Sequence, residues 1–101
     1  MNDMTFTFTA PLKIYQGQAA WHYIIIPTDH ADQIKFFREK PIGFGSVPVN
    51  VTCGQTTWQT SLFPDKKSAS YMLPIKKDVR VREKLSVGDD VEIKIEVKTG
   101  L

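Results

Sequence analysis

The sequence predicts a mainly β domain made of two β-β-α-β units that pack face to face around one core. Short runs of strict apolar/polar alternation recur along the chain, and two helix-like stretches interrupt them. The order of elements in the first half then returns in the second, as expected when two units too small for separate cores share one. The units cover about residues 5–53 and 57–99 of a single domain, 1–101.

A chain of 101 residues can hold one core without covalent staples, and 42% hydrophobic with 24% charged residues is the composition of a folded globular protein. The net charge of +2 is too small to imply a polyanionic partner by itself. Cys53 is the only cysteine, which excludes an internal disulfide and a cysteine-only zinc site and fits a reducing cytoplasm. Met1-Asn-Asp-Met-Thr5 lacks the basic start and apolar run of a secretion signal. The longest apolar run, Trp21–Ile26 interrupted by His22, falls well short of the roughly 20 residues that span a bilayer. The expectation is a cytoplasmic protein with no membrane partner, in which the sequon Asn50-Val-Thr52 is chance.

Phe6, Phe8, Ala10, Leu12 and Ile14 alternate with Thr7, Thr9, Pro11, Lys13 and Tyr15, which predicts a strand with one buried face. Pro11 cannot donate to a ladder, so it marks an edge or a bulge. After the turn at Gln16–Ala20, Trp21–Ile26 is apolar on both alternating sets and reads as a central strand covered on both faces. Pro27 ends it. Thr28 or Asp29 then caps a helix to about Lys40 with Ala31, Ile34 and Phe37 inward and Phe36 off that stripe. Asp29 and Asp32 near its start and Lys35, Arg38 and Lys40 near its end suit the helix dipole. Pro41 stops the helix and Gly43–Gly45 is loop.

Val47, Val49, Val51 and Cys53 form a third strand with an edge-type proline at Pro48, and Gly54 turns it into the strand Trp58–Phe63. Pro64–Ser70 reads as a polar, mobile loop, and Tyr71–Leu73 as a short strand halted by Pro74. Asp78 can cap a helix of about two turns, with Val81 and Leu85 four apart on one face. Gly88-Asp89-Asp90 turns into the strand Val91, Ile93, Ile95 and Val97, whose outward Glu92, Lys94, Glu96 and Lys98 alternate in sign as a solvated face. The halves correspond as Tyr23, Pro27, helix, Gly45, Val47 against Tyr71, Pro74, helix, Gly88, Val91. Each is preceded by an aromatic-led strand, Phe6–Ile14 or Trp58–Phe63.

At Trp58-Gln-Thr-Ser-Leu-Phe-Pro64, Tyr71-Met-Leu-Pro74 and Leu85-Ser-Val-Gly-Asp89 the chain resembles a bacterial family of unknown function. Members of that family occur alone or beside a YdeI/OmpD-associated, bacteriocin-protection domain. Phe6-Thr-Phe-Thr-Ala10 and Trp21-His-Tyr-Ile-Ile-Ile-Pro27 fit the same family, so the resemblance covers nearly the whole chain. It implies a double-split, pseudo-two-fold β-barrel capped by two short helices, the superfold of AbrB- and MazE-like DNA binders, and no established activity or catalytic residue. Pro74-Ile-Lys-Lys-Asp-Val-Arg80 with Leu85–Asp90 also looks like one subunit of an AbrB/MazE-type regulator. Pro27-Thr-Asp-His-Ala31 lacks the matching basic residues, which argues against symmetric operator binding.

The densest basic stretch holds Lys66, Lys67, Lys76, Lys77, Arg80, Arg82 and Lys84. On one face it would be a candidate anion or nucleic-acid contact, with Trp58 or Tyr71 to stack a base. With so small a net charge, a solvated surface is the favoured reading. Trp58, Phe63, Tyr71, Trp21 and Phe36 are candidates for a ligand groove, with Trp58, Tyr71 and Phe36 carried forward. Most of these aromatics read more simply as core, and Phe36 is the one expected to be exposed. His22 and His30 read as structural, since no metal-ligand spacing surrounds either beyond the capping-type Asp29 and Asp32. Cys53 alternates with buried valines and reads as a small hydrophobe rather than a nucleophile. Ser61 lacks nucleophile-elbow glycines, and Gly43-Phe-Gly45 does not open a helix.

The expectation is a non-enzymatic binding or regulatory module with no cofactor and no metal site, its ligand or partner unidentified, acting as a monomer or weak homodimer. The alternative is a nucleic-acid-binding regulator of AbrB/MazE type that uses Lys66–Lys84. A small enzyme with no visible motif ranks last.

Overall fold

The computed structural model describes residues 4–17, 21–37 and 45–98, with the side chain of Phe37 outside that set. The described residues form seven strands and two short helices. The strands are β1 (Met4–Pro11), β2 (Lys13–Tyr15), β3 (Trp21–Ile25), β4 (Val47–Cys53), β5 (Thr56–Asp65), β6 (Ser70–Pro74) and β7 (Asp90–Val97). The helices are α1 (Thr28–Phe37) and α2 (Lys77–Arg82). All pairings are antiparallel, in the order β1-β7-β4-β5-β6-β3-β2.

The two ends of this order are consecutive in sequence. Only Leu12 separates β1 from β2, so the sheet curls until its ends approach and encloses a half-barrel. Leu12 is buried, its N–H donates to the Asp89 carbonyl at 2.9 Å, and its carbonyl accepts from the Gly88 N–H at 2.8 Å. β5 bends in a similar way: Thr56–Leu62 pair with β4, and Phe63–Asp65 pair with β6. The buried residues follow the alternation of the sequence. Phe6, Phe8 and Ala10 meet Ile95, Ile93 and Val91 across β1–β7, and Val51 pairs with Trp58 on one side and Ile95 on the other. Ala31 and Ile34 of α1 and Val79 of α2 close onto the same core.

Several expectations need correction. Trp21–Ile26 is not covered on both faces: Ile24 and Ile26 are buried, whereas Trp21 is 36% exposed and Tyr23 and Ile25 are half-buried. The strand Trp58–Phe63 runs on through Pro64 to Asp65, and Pro64 pairs with Tyr71. The loop beyond it is therefore only a tight turn, Lys66–Ala69, in which the Asp65 carboxylate accepts from the Ser68 N–H (3.1 Å) and hydroxyl (2.7 Å). Pro48 does not mark an edge, because β4 lies between β7 and β5. Its carbonyl accepts from the Lys98 N–H at 3.1 Å, so its missing N–H also faces β7, at the point where that strand ends.

The helix starts also differ. Thr28 and Asp29 lie inside the first turn of α1, and the Pro27 carbonyl accepts from the Ala31 N–H at 3.0 Å. Asp78 is within α2, whose N-cap is Lys76 with no side-chain cap. Val79, not Val81 (65% exposed), faces the core. Leu85 is part-buried by another route. Lys84 adopts a left-handed φ of 56°, the Leu85 N–H returns to the Arg80 carbonyl (2.9 Å), and the Lys84 N–H returns to Val81 (3.3 Å). This is a Schellman turn, with Lys84 where glycine is usual. The predicted continuation of α1 to Lys40, the stop at Pro41 and the loop residues Gly43 and Phe44 lie outside the described residues.

Candidate functional site: an aromatic cleft on the outer face of β2, β3 and β6

The side chains that alternate with the buried Ile24 and Leu73 point out of the sheet. Register places Lys13 opposite Tyr23, Tyr15 opposite Trp21, and Ile25 opposite Met72. These six residues share one outward face, and the β5–β6 turn stands beside them as a wall carrying Asp65, Lys67 and Ser68. Together they line a cleft of about 380 Å³, within the size range of small-molecule sites. The Trp21 and Tyr23 rings lie 6.2 Å apart at 47°. The Tyr15 ring folds over Gly17, where a Cβ would come within 2.9 Å of the ring Cζ, so only glycine leaves the ring this room.

The wall is tethered on two sides. Asp65 holds Ser68, and the Lys35 Nζ of α1 donates to the Ala69 carbonyl at 2.8 Å while lying 5.9 Å from the centre of the Tyr71 ring. Lys13 and Lys67 have no hydrogen-bond or ion-pair partner among the described residues. The cleft thus combines an aromatic and aliphatic floor, two ammonium groups with no partner among the described residues, and one carboxylate whose Oδ2 is engaged by Ser68.

The basic stretch singled out in the sequence falls into two groups. Lys66 and Lys67 sit in the β5–β6 turn, whereas Lys76, Lys77, Arg80 and Arg82 sit at or on α2. The five residues of β6 lie between them, a distance of roughly 17 Å. Arg80 points inward: its Nε donates to the Ile75 carbonyl (3.3 Å), and its Nη1 lies 3.3 Å from His22 Nε2. Lys76 and Arg82 border a small hollow of about 90 Å³ with Thr56, Trp58 and Asp78. Trp58 and Tyr71 belong to the core, at 9% and 7% exposure, while Phe36 is 77% exposed on α1 and does not line the cleft. Tyr15 and Tyr23 escaped the sequence reading. The first looked like part of a solvated strand face, and the second like a residue buried under another layer.

The histidines have structural surroundings. Burial, and then the Arg80 charge, hold the pKa of His22 below the usual 6.5, and its Nδ1 is buried without a partner among the described residues. The His30 ring packs 4.7 Å from Phe6 and 5.9 Å from Phe8, and its Nδ1 is likewise buried with no partner among the described residues. Burial pushes the Cys53 thiol pKa up, with the nearby Glu83 carboxylate adding to the effect. Among the described residues no group of three or more His, Cys, Asp or Glu side chains could hold a metal ion, and no helix is long and apolar enough to cross a membrane.

No curated protein matches the chain. Residues 8–95, from Phe8 in β1 to Ile95 in β7, match a family described as a domain of unknown function. The match takes in both helices and all the strands between, and the chain belongs to that family, DUF1905.

Proposed function

We propose that the protein is a non-enzymatic binding module that holds a small molecule in the cleft over β2, β3 and β6. One observation carries this reading: three partly exposed aromatic side chains and two ammonium groups with no partner among the described residues line a single cleft of ligand size. The nucleic-acid regulator ranks second, because its basic residues lie at opposite ends of β6 and Arg80 is turned inward.

The scaffold for this site is read as a double-split barrel with a pseudo-dyad, akin to AbrB- and MazE-like folds and to the YdeI/OmpD-associated group. Strand pairing supports that reading. If β1–β2 is exchanged with β5, β3 with β6 and β4 with β7, the order of neighbours is unchanged. The bond from Ile26 N–H to the Tyr71 carbonyl (3.0 Å) has its counterpart from Ile75 N–H to His22 (2.9 Å). Thr28 and Lys77, the first residues of the helices, correspond, as do the buried Leu12 and Leu62. On this correspondence Pro27 matches Lys76 rather than Pro74. Tyr23 likewise matches the outward Met72 rather than the buried Tyr71, a one-residue slip that moves the side chain to the other face.

A thermal-shift screen of nucleotides, sugars and aromatic acids tests the proposal. A ligand at about 100 times its Kd adds roughly 2.7 kcal/mol, which raises Tm by more than about 10 °C in a domain of this size. The double variant Trp21→Ser/Tyr23→Ser should fold and lose that response. Hits that stabilise the double variant equally well, or a screen with no hit, would overturn the proposal.

A further inference from the structure

We infer that the ligand of the cleft is a small planar ring bearing a carboxylate or phosphate, with the ring on Trp21 and Tyr23 and the anion held by Lys13 and Lys67. This rests on the binding reading above and specifies its chemistry. Lys13 is the direct cross-strand partner of Tyr23, so its ammonium emerges beside the aromatic surface. Lys67 rises from the tethered wall facing it. Among the described lining residues the one carboxylate is Asp65, which accepts from Ser68 through Oδ2, so the lining sets two ammonium groups against one carboxylate.

These groups select among ligands. A cation would meet two ammonium groups and little to offset them. A wholly apolar molecule would cover the lysine heads without replacing their water. A neutral sugar would find the aromatic surface but few free acceptors for its hydroxyls. An anionic ring satisfies both parts of the site: flat surface stacks on Trp21 and Tyr23, while charge-assisted hydrogen bonds form at Lys13 and Lys67. The cleft's volume suits a single mononucleotide-sized molecule.

The test measures binding of two matched pairs, AMP against adenosine and indole-3-carboxylate against indole, by calorimetry and tryptophan fluorescence. The anionic member of at least one pair should bind about ten-fold or more tightly than its neutral partner. A preference confined to AMP identifies phosphate, and one confined to indole-3-carboxylate identifies carboxylate. Lys13→Gln/Lys67→Gln changes only exposed side chains and should bring the ratio close to one without changing affinity for the neutral compound. Equal binding of charged and neutral members overturns the anion inference and leaves the cleft reading intact. If neither pair binds, both fall. A single-stranded oligonucleotide binding far more tightly than AMP would overturn the small-ligand assignment.

Discussion

The β4–β5 hairpin turn offers a sharp test of how the fold is held, because two of its constraints act through one side chain. Gly54 has a φ of 59°, and a Cβ there would lie 2.7 Å from the Glu83 carboxyl carbon and closer still to one oxygen. Glu83 follows α2 and accepts from the Gln55 N–H (3.2 Å) and the Thr56 hydroxyl (2.7 Å), tying the hairpin to the helix. Gly54→Ala therefore carries two penalties. The left-handed backbone costs about 1 kcal/mol for alanine. Displacing Glu83 into water costs its two bonds, together about 1.5 kcal/mol after allowing for partial exposure. The expected loss is about 2.5 kcal/mol, or a fall in Tm of about 10–20 °C. In a Glu83→Ala background the second penalty is already spent, and Gly54→Ala should cost only about 1 kcal/mol. Urea unfolding of the four proteins measures the coupling, expected near 1.5 kcal/mol, well above the roughly 0.5 kcal/mol scatter of independent sites. If Gly54→Ala costs the same in both backgrounds, the carboxylate does not constrain the turn.

Three further outcomes follow from local geometry. Lys84→Gly should stabilise the protein by about 1 kcal/mol in urea, since Lys84 holds the left-handed position of a Schellman turn; a loss of stability would refute the geometry. His22 has a pKa depressed in the folded state, so its neutral form contributes full stability above the usual 6.5. That contribution is lost as pH falls below it, because the unfolded chain then binds the extra proton; His22→Gln should flatten the slope of stability between about pH 5 and 7, and an unchanged slope would assign it elsewhere. Cys53, buried with its pKa raised, should resist a thiol reagent at pH 8 until the chain unfolds, and rapid labelling of the native protein would contradict its burial.

Where one face of a strand is buried and the other solvated, the sequence was readable: Phe6–Leu12, Val47–Cys53 and Val91–Val97 all keep the predicted face inward. Trp21–Ile26 misled for a physical reason. Apolar residues on both alternating sets signal either a second covering layer or an open apolar cleft, and periodicity does not distinguish them. Proline misled twice, at Pro48 and Pro64, because its missing N–H matters only on the side where a neighbour needs it. The Schellman turn left no trace in the sequence, since a lysine holds the glycine position. The site itself emerged only from register: Lys13 beside Tyr23, Tyr15 beside Trp21 and Met72 beside Ile25 are neighbours that no local pattern announces.

The pairing of β1 with β7 joins Met4 to Val97, almost the full length of the chain. During synthesis the first strand therefore leaves the ribosome with no partner and must wait for the last. Such high contact order slows folding toward the millisecond-to-second range and leaves a nascent hydrophobic edge open to other chains. Pro11, unable to donate a backbone hydrogen bond, and the threonines at 5, 7 and 9 make that waiting strand a poor template for aggregation.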